Sequence, residues 1–245
     1  MRSLKIFFFT FPLAFFCLSL IIMATVLWVH PYSRQPDNRT LQHISVPQEE
    51  DGLSILIVHQ QEKLRSAVLL SFLPTEGYVL LKTFPPDLMV NGENLASVWS
   101  KGKESAVKEQ LNLTSDRYIV VNDQQFEKFI DLLGTVPIQL NEPLIYTEAN
   151  MTISLGRGLQ HLDGEQILHY LSEIEKKDDY TQQFSLLLQS ICERALILLS
   201  KENSQNLYYE MLDCMDSDLS INDYDLCHSS LAFLMQIVKN PVKLA

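Results

Sequence analysis

Basic charge is what this chain has too little of. Its 245 residues carry a formal net charge of −11. A general nucleic-acid binder needs a basic face to neutralise phosphates, so nucleic acid is not an expected partner. No G-x-S-x-G, P-loop or C-x-x-C occurs, which removes the usual signatures of serine hydrolases, nucleotide triphosphatases and dithiol oxidoreductases. His59, His161 and His169 show no H-E-x-x-H spacing and read as structural or exposed rather than metal-ligating. The four cysteines form no metal-type set with histidine. Cys192 falls on an apolar helical face. Cys214 and Cys227 flank a short acidic loop and could pair in an oxidising compartment, although free thiols are favoured. There is no internal repeat and no low-complexity tract.

What the chain does have begins at its N-terminus. Ile6 to Val29 is an apolar run without a single charge, and about 20 such residues cross a bilayer as a helix. Arg2 and Lys5 precede it with no acid between them, so the positive-inside rule leaves the N-terminus cytoplasmic and the rest outside. The alternative is a cleaved signal peptide, but the run exceeds the usual apolar core and no A-x-A site follows. The organisation expected is a cytoplasmic tip and anchor over 1–30, an extracytoplasmic linker over 31–52, and one domain over 53–245. The linker is polar, with three prolines and no amphipathic period.

Within the domain, the apolar runs Leu53–His59, Ala67–Phe72 and Tyr78–Phe84 predict strands, the last two forming a hairpin over Pro74–Gly77. Arg117–Asn122, Val136–Leu140 and Thr152–Leu155 predict further strands. Helices are expected over Asn94–Leu111 and over Asp123–Leu133, where Phe126, Phe129, Ile130 and Leu133 recur at spacings of three and four. Gly134 is the expected stop. Asp163 and Gln166 form a capping arrangement for a helix over Gly164–Ile174. A long apolar stripe from Phe184 to Leu199 and two helices around Leu207–Cys214 and Asp223–Val238 follow. Strands interleaved with helices imply an α/β domain, a mixed central sheet with helices on both faces.

Two patterns near the C-terminus invite a metal. Asp216-Ser217-Asp218 spells the D-x-D of metal-dependent glycosyltransferases, but an acidic loop capping the last helix explains it as well. The same run starts like an EF-hand, yet Ile221 stands where glycine is needed and Cys227 where the bidentate glutamate belongs. Asn38-Arg-Thr, Asn112-Leu-Thr and Asn150-Met-Thr are sequons that chance accounts for.

From Ser54 to about Leu199 the chain resembles the LytR-CpsA-Psr family of cell-envelope proteins. Asp123 to Val136 (DQQFEKFIDLLGTV) resembles the segment of that family ending D-x-L-G-G-V, with Thr135 at the second glycine. Gly158 to Tyr170 (GLQHLDGEQILHY) resembles its G-x-x-x-L-D-G-x-x-A-L-x-Y segment. Thr83 to Asp87 stands where the family has serine-x-proline-arginine-aspartate, and Glu93 to Ala96 where it has lysine-x-asparagine-alanine-alanine. The resemblance implies transfer of anionic glycopolymers from a polyprenyl pyrophosphate carrier to peptidoglycan. It also implies a magnesium or manganese ion and a single-pass protein of the cell membrane facing the envelope.

Such chemistry needs arginine forks and hard oxygen ligands around the pyrophosphate. Carried over position by position, most of these are missing. Gln60 and Ala67 stand near expected aspartates, Pro86 at an expected arginine, and Ser172 and Ile174 at two more. Arg65, Asp87, Asn94 and Gln182 are the candidates retained. The nearby Glu173, Glu175, Asp178 and Asp179 add like charge, which Lys82, Lys101, Lys176 and Lys177 offset only in part. Arg117, Arg157 and Arg194 are the remaining arginines after the linker, with Arg194 on the polar, solvated side of its helix. The expectation is a degenerate member with no assigned catalytic residue, metal or cofactor, binding a polyprenyl-linked glycan or an envelope protein. An active glycopolymer transferase is the alternative, and a type II membrane glycosyltransferase using the D-x-D is the second.

Overall fold

The computed structural model describes residues 46–148 and 151–245. The predicted membrane segment Ile6–Val29 and most of the predicted linker lie outside the described residues. Among the described residues no helix is long and apolar enough to cross a membrane.

A 3-10 turn at Glu49–Asp51 leads into β1 (Leu53–Gln60), which runs antiparallel to β2 (Leu64–Leu73), itself antiparallel to β3 (Tyr78–Phe84). Their leucines and β-branched residues suit strands covered on both faces. Gly77, at φ 77°, completes the turn between β2 and β3 in a conformation that other residues adopt only with strain. β4 (Met89–Val90) and β5 (Glu93–Asn94) form a small hairpin over Asn91-Gly92, both at positive φ. α1 (Leu95–Gln110) follows, and β6 (Arg117–Val121) returns to pair parallel with β1. α2 (Asp123–Leu132) starts from a capping box of Asn122 and Gln125.

β7 (Val136–Leu140) pairs antiparallel with β10 (Gly158–Leu162), and between them β8 (Leu144–Glu148) and β9 (Met151–Leu155) make a second hairpin. Then come α3 (Gly164–Ile174), α4 (Tyr180–Leu199), α5 (Gln205–Asp213), β11 (Asp216–Ser217), α6 (Ile221–Ile237) and β12 (Val242–Leu244). The main sheet has six strands in the order β11-β6-β1-β2-β3-β12. It is mixed: β1–β6 and β3–β12 are parallel, the other pairs antiparallel.

Strand alternation divides the core. Leu56, Val58, Ala67 and Leu69 face α1, packing on Leu95, Val98, Trp99 and Val107. Ile57, Val68, Leu70 and Phe72 face the other way, toward α2 to α6. Helices therefore cover both faces of a mixed sheet, as the sequence implies. β4, β5, β8, β10, β11 and β12 have no counterpart among the strands expected from the sequence. β10 buries only Leu162 fully, so its apolar signal is too weak to predict a strand. The D-x-D is structural: Asp216 and Ser217 pair with β6, and the Asp218 carboxylate accepts the Tyr118 N–H at 2.6 Å.

Gly164 marks the tightest helix contact. A Cβ there would sit 2.4 Å from the Glu127 carbonyl oxygen and 3.0 Å from Asp131 Oδ1. Its own N–H donates to that Asp131 oxygen at 3.0 Å. Gly164→Ala should therefore destabilise the fold by about 2 kcal/mol, because overpacking against backbone outweighs alanine's gain of about 1 kcal/mol in helix propensity. A denaturant melt showing equal or greater stability would contradict this contact.

Candidate functional site

The C-terminal end of β1, the start of β2, the first turn of α2 and the end of α3 meet at one point. His59 is 6% exposed, stacks on Phe126 at 5.2 Å between ring centroids, and donates from Nε2 to Asp123 Oδ1 at 2.7 Å. Arg65 donates from Nη1 to the same oxygen at 2.8 Å. Its Nε and Nη2 fork the Glu175 carboxylate at 3.0 and 2.8 Å. Asp123 belongs in the first turn of a helix, where the dipole favours an acid. Glu175 caps the C-terminus of α3, where the dipole disfavours one, and the arginine fork compensates.

Burial works to raise the Asp123 carboxyl, but the hydrogen bonds from His59 and Arg65 and their charges outweigh it, so the group titrates below the usual carboxylate range. Burial likewise works to lower Arg65, and the two carboxylates more than reverse it.

Arg65 lines an open polar pocket of about 370 Å³ together with Leu64, Pro86, Asp87, Glu175 and Tyr180. The Tyr180 phenol is pushed up to about 12, mainly by burial and then by Glu175, so it stays neutral. Of the four retained candidates, Arg65 and Asp87 come together here. Asn94 instead caps α1 by accepting the Ser97 N–H at 2.8 Å, and Gln182 is exposed in the first turn of α4.

The substituted positions are built into the fold. Gln60 accepts the Trp99 indole N–H at 2.8 Å, Ala67 and Ile174 are fully buried, and the Ser172 hydroxyl donates to the Leu168 carbonyl. Because Ile174 is core, the residue that the end of α3 turns to the site is Glu175. In the sequence alone Glu175 is only one more like charge, and Asp123 and His59 have no evident role. Their common signal is the sequence-distant Arg65, which no local pattern reveals.

The basic groups that the sequence sets against the missing arginines are engaged or placed elsewhere. Lys101 pairs with Glu93, Lys176 with Glu173 and Lys177 with Glu142. Lys82 lies over the Phe84 ring. Arg117 pairs with Asp223, and Arg157 is exposed on the loop after β9. Arg194 is not simply solvated: its Nε donates to the Leu133 carbonyl at 2.9 Å, satisfying the end of α2. The donor set does not fit a divalent cation. Asp123 Oδ1 already accepts from both His59 and Arg65, and among the described residues no three His, Cys, Asp or Glu side chains converge on one point.

Behind this cluster, between the sheet and α2, α4, α5 and α6, lies an apolar cavity of about 260 Å³. Ile55, Ile57, Val68 and Leu70 form its floor. Phe126, the ring stacked on His59, lines its wall, with Leu188, Cys192, Ala195, Leu196 and Leu199 of α4. The polar residues at its lining are satisfied elsewhere. Asp223 holds Arg117, the Tyr208 hydroxyl donates to the Ser220 carbonyl, Tyr224 bonds Ser204, and His228 meets the Lys201 carbonyl. Cys192 and Cys227, both at this cavity, are free thiols, as is Cys214. Burial pushes the Cys192 and Cys227 thiols up to about 12.

The LytR_cpsA_psr family model matches residues 37–183. Over 122 residues the chain is 28% identical to the polyisoprenyl-teichoic acid–peptidoglycan teichoic acid transferase TagU of Enterococcus faecalis, a match covering 48% of this chain and 39% of that protein. The matched stretch thus spans only about two fifths of that relative's length. The crystal structure of B. subtilis TagV superposes with a TM-score of 0.64 at 15% identity, covering 80% of this chain and 84% of that one. A LytR-Csp2A-Psr enzyme from Actinomyces oris gives 0.63 at 15% identity, covering 80% of each chain. Identities this low carry the fold alone, but the family model takes in more than half of the sequence, and the chain belongs to the LytR-CpsA-Psr family.

Proposed function

We propose that this protein, anchored in the cell membrane by Ile6–Val29 with its domain in the envelope, holds the isoprenoid part of a lipid-linked glycan without transferring the glycan. The observation that carries the reading is an arginine already engaged by two carboxylates beside an apolar cavity. Phosphoryl transfer from a pyrophosphate is almost entirely positioning and charge stabilisation, so forks and metal must be free to meet the developing charge. Here the one guanidinium at the site is engaged, Pro86 offers no donor, and neither serine nor isoleucine replaces a fork. The cavity, by contrast, suits an isoprenoid. About 260 Å³ exceeds the roughly 150 Å³ of an apolar cavity that stays dry and takes up benzene. It accommodates a few isoprene units rather than a whole polyprenyl chain. TagU is named for acting on polyisoprenyl-linked teichoic acid, which supports a lipid of that class. No magnesium or manganese site belongs to this reading.

The test is to incubate the full chain, in detergent micelles, with a polyprenyl pyrophosphate and magnesium or manganese. Binding through the tail, weaker than that of the matching uncharged polyprenol, with no release of phosphate is expected. Phosphate release or glycan transfer that disappears in Asp87→Ala would establish a working transferase and overturn the proposal, and so would absence of lipid binding.

A further inference from the structure

We propose that Glu175 is a built-in plug on Arg65: its carboxylate occupies the fork that a pyrophosphate would need and gives the lipid site a preference for isoprenoids with an uncharged head. The preference rests on the lipid-holding function proposed above; the plug itself does not.

An arginine has five N–H donors in a rigid fork. Glu175 takes the edge formed by Nε and Nη2, and Asp123 takes one donor of Nη1. One Nη1 and one Nη2 donor remain, so a phosphate that takes the Nε–Nη2 edge must displace Glu175. The pocket then repels it further, because Asp87 and Glu175 line the same space and, among the described residues, Arg65 is its one basic lining residue. An alcohol meets no such penalty.

Glu175 is not there for the helix. A carboxylate at a helix C-terminus opposes the dipole, and Lys176 and Lys177, which follow it, point to Glu173 and Glu142 instead. The neighbouring Ile174 is fully buried, and this anchors the last turn of α3 so that Glu175 meets Arg65. Asp123 holds Arg65 independently, so the guanidinium stays in place when Glu175 is changed. The Glu175 side chain is 32% exposed, and its removal leaves no closed cavity.

Farnesol and farnesyl pyrophosphate share a tail and differ in head charge, and inorganic pyrophosphate has the head alone. Binding of all three to the full chain in detergent micelles should be measured for the wild type, Glu175→Ala, Glu175→Gln and the control Glu173→Ala. The wild type should prefer farnesol to farnesyl pyrophosphate by at least tenfold. Glu175→Ala should gain at least tenfold for both pyrophosphates with farnesol unchanged, and Glu175→Gln should gain less. Added salt should reduce the gain, as expected of a charge effect. Equal affinity of wild type and Glu175→Ala for inorganic pyrophosphate would overturn the plug. An equal gain in Glu173→Ala would also overturn it, because net charge and not occupancy of the fork would then be the cause. If neither lipid binds any variant, the lipid preference falls together with the function it rests on, whereas a gain for inorganic pyrophosphate would still establish the plug. If both lipids bind equally to every variant, the lipid preference falls and the lipid-holding function stands.

Discussion

Replacing Asp123 by alanine should lower the midpoint of thermal unfolding by roughly 6–12 °C, the largest effect expected from any single change at the polar cluster. The substitution strands two partners at once. His59 is buried, and Arg65 is 18% exposed at its side chain, against 23% for Asp123. Removing one member of a buried pair costs about 3–5 kcal/mol, and partial exposure places this case near the lower end. A domain of this size loses about 2–4 °C per kcal/mol. Asp123→Asn isolates the charge and should show a pH signature. The folded-state carboxyl titrates below its unfolded value, so its contribution is fully present above the unfolded pKa of about 3.9 and fades as pH falls through the lower folded value. The gap between wild type and Asp123→Asn should be wide at pH 7 and close in strong acid. An unchanged melting midpoint for Asp123→Ala, or a gap that persists in acid, would remove the cluster as a stabilising unit.

The sequence reveals the elements of this fold better than their meeting points. Tyr78–Phe84, Val136–Leu140 and Gly164–Ile174 are legible to the residue because apolar runs, a proline-glycine turn and a capping aspartate are local signals. The order of motifs further identifies the family that the comparisons establish. β4, β5, β11 and β12, of two or three residues each, are too short to carry a periodic signal, and more stays hidden. β8 and β10 lie in two-stranded pairs apart from the main sheet and lack a continuous apolar run, so periodicity does not mark them. The engagement of Arg65 by residues 58 and 110 positions away is a tertiary fact. Counting charges near α3 predicts repulsion of an anion but not which carboxylate sits on the arginine. One residue decides that: Ile174 turns into the core, and Glu175 is what remains for the site.

Ala195→Phe should abolish most isoprenoid binding while leaving the protein as stable as before or more so. Ala195 projects from α4 into the apolar cavity beside Leu188, Cys192 and Leu199. Residual cavity costs about 24 cal/mol per Å³ in core-truncation series. The space of about 260 Å³ is partly open, so on that scale about 6 kcal/mol is an upper bound on the contacts it forgoes, against a whole stability of about 5–15 kcal/mol for a small domain. A chain that keeps such a space either has it filled by a ligand or lets it collapse in solution. The phenyl ring tells these apart. In a true cavity it replaces lost contacts and takes the place of the isoprene units, so farnesol affinity should fall at least tenfold and the melting midpoint should hold or rise. In a collapsed core the same ring overpacks, which costs about 1–3 kcal/mol and would lower the midpoint by several degrees. A lower midpoint with unchanged farnesol binding would therefore exclude this cavity as the lipid site, and with it the connection from Phe126 through His59 and Asp123 to the arginine that Glu175 holds.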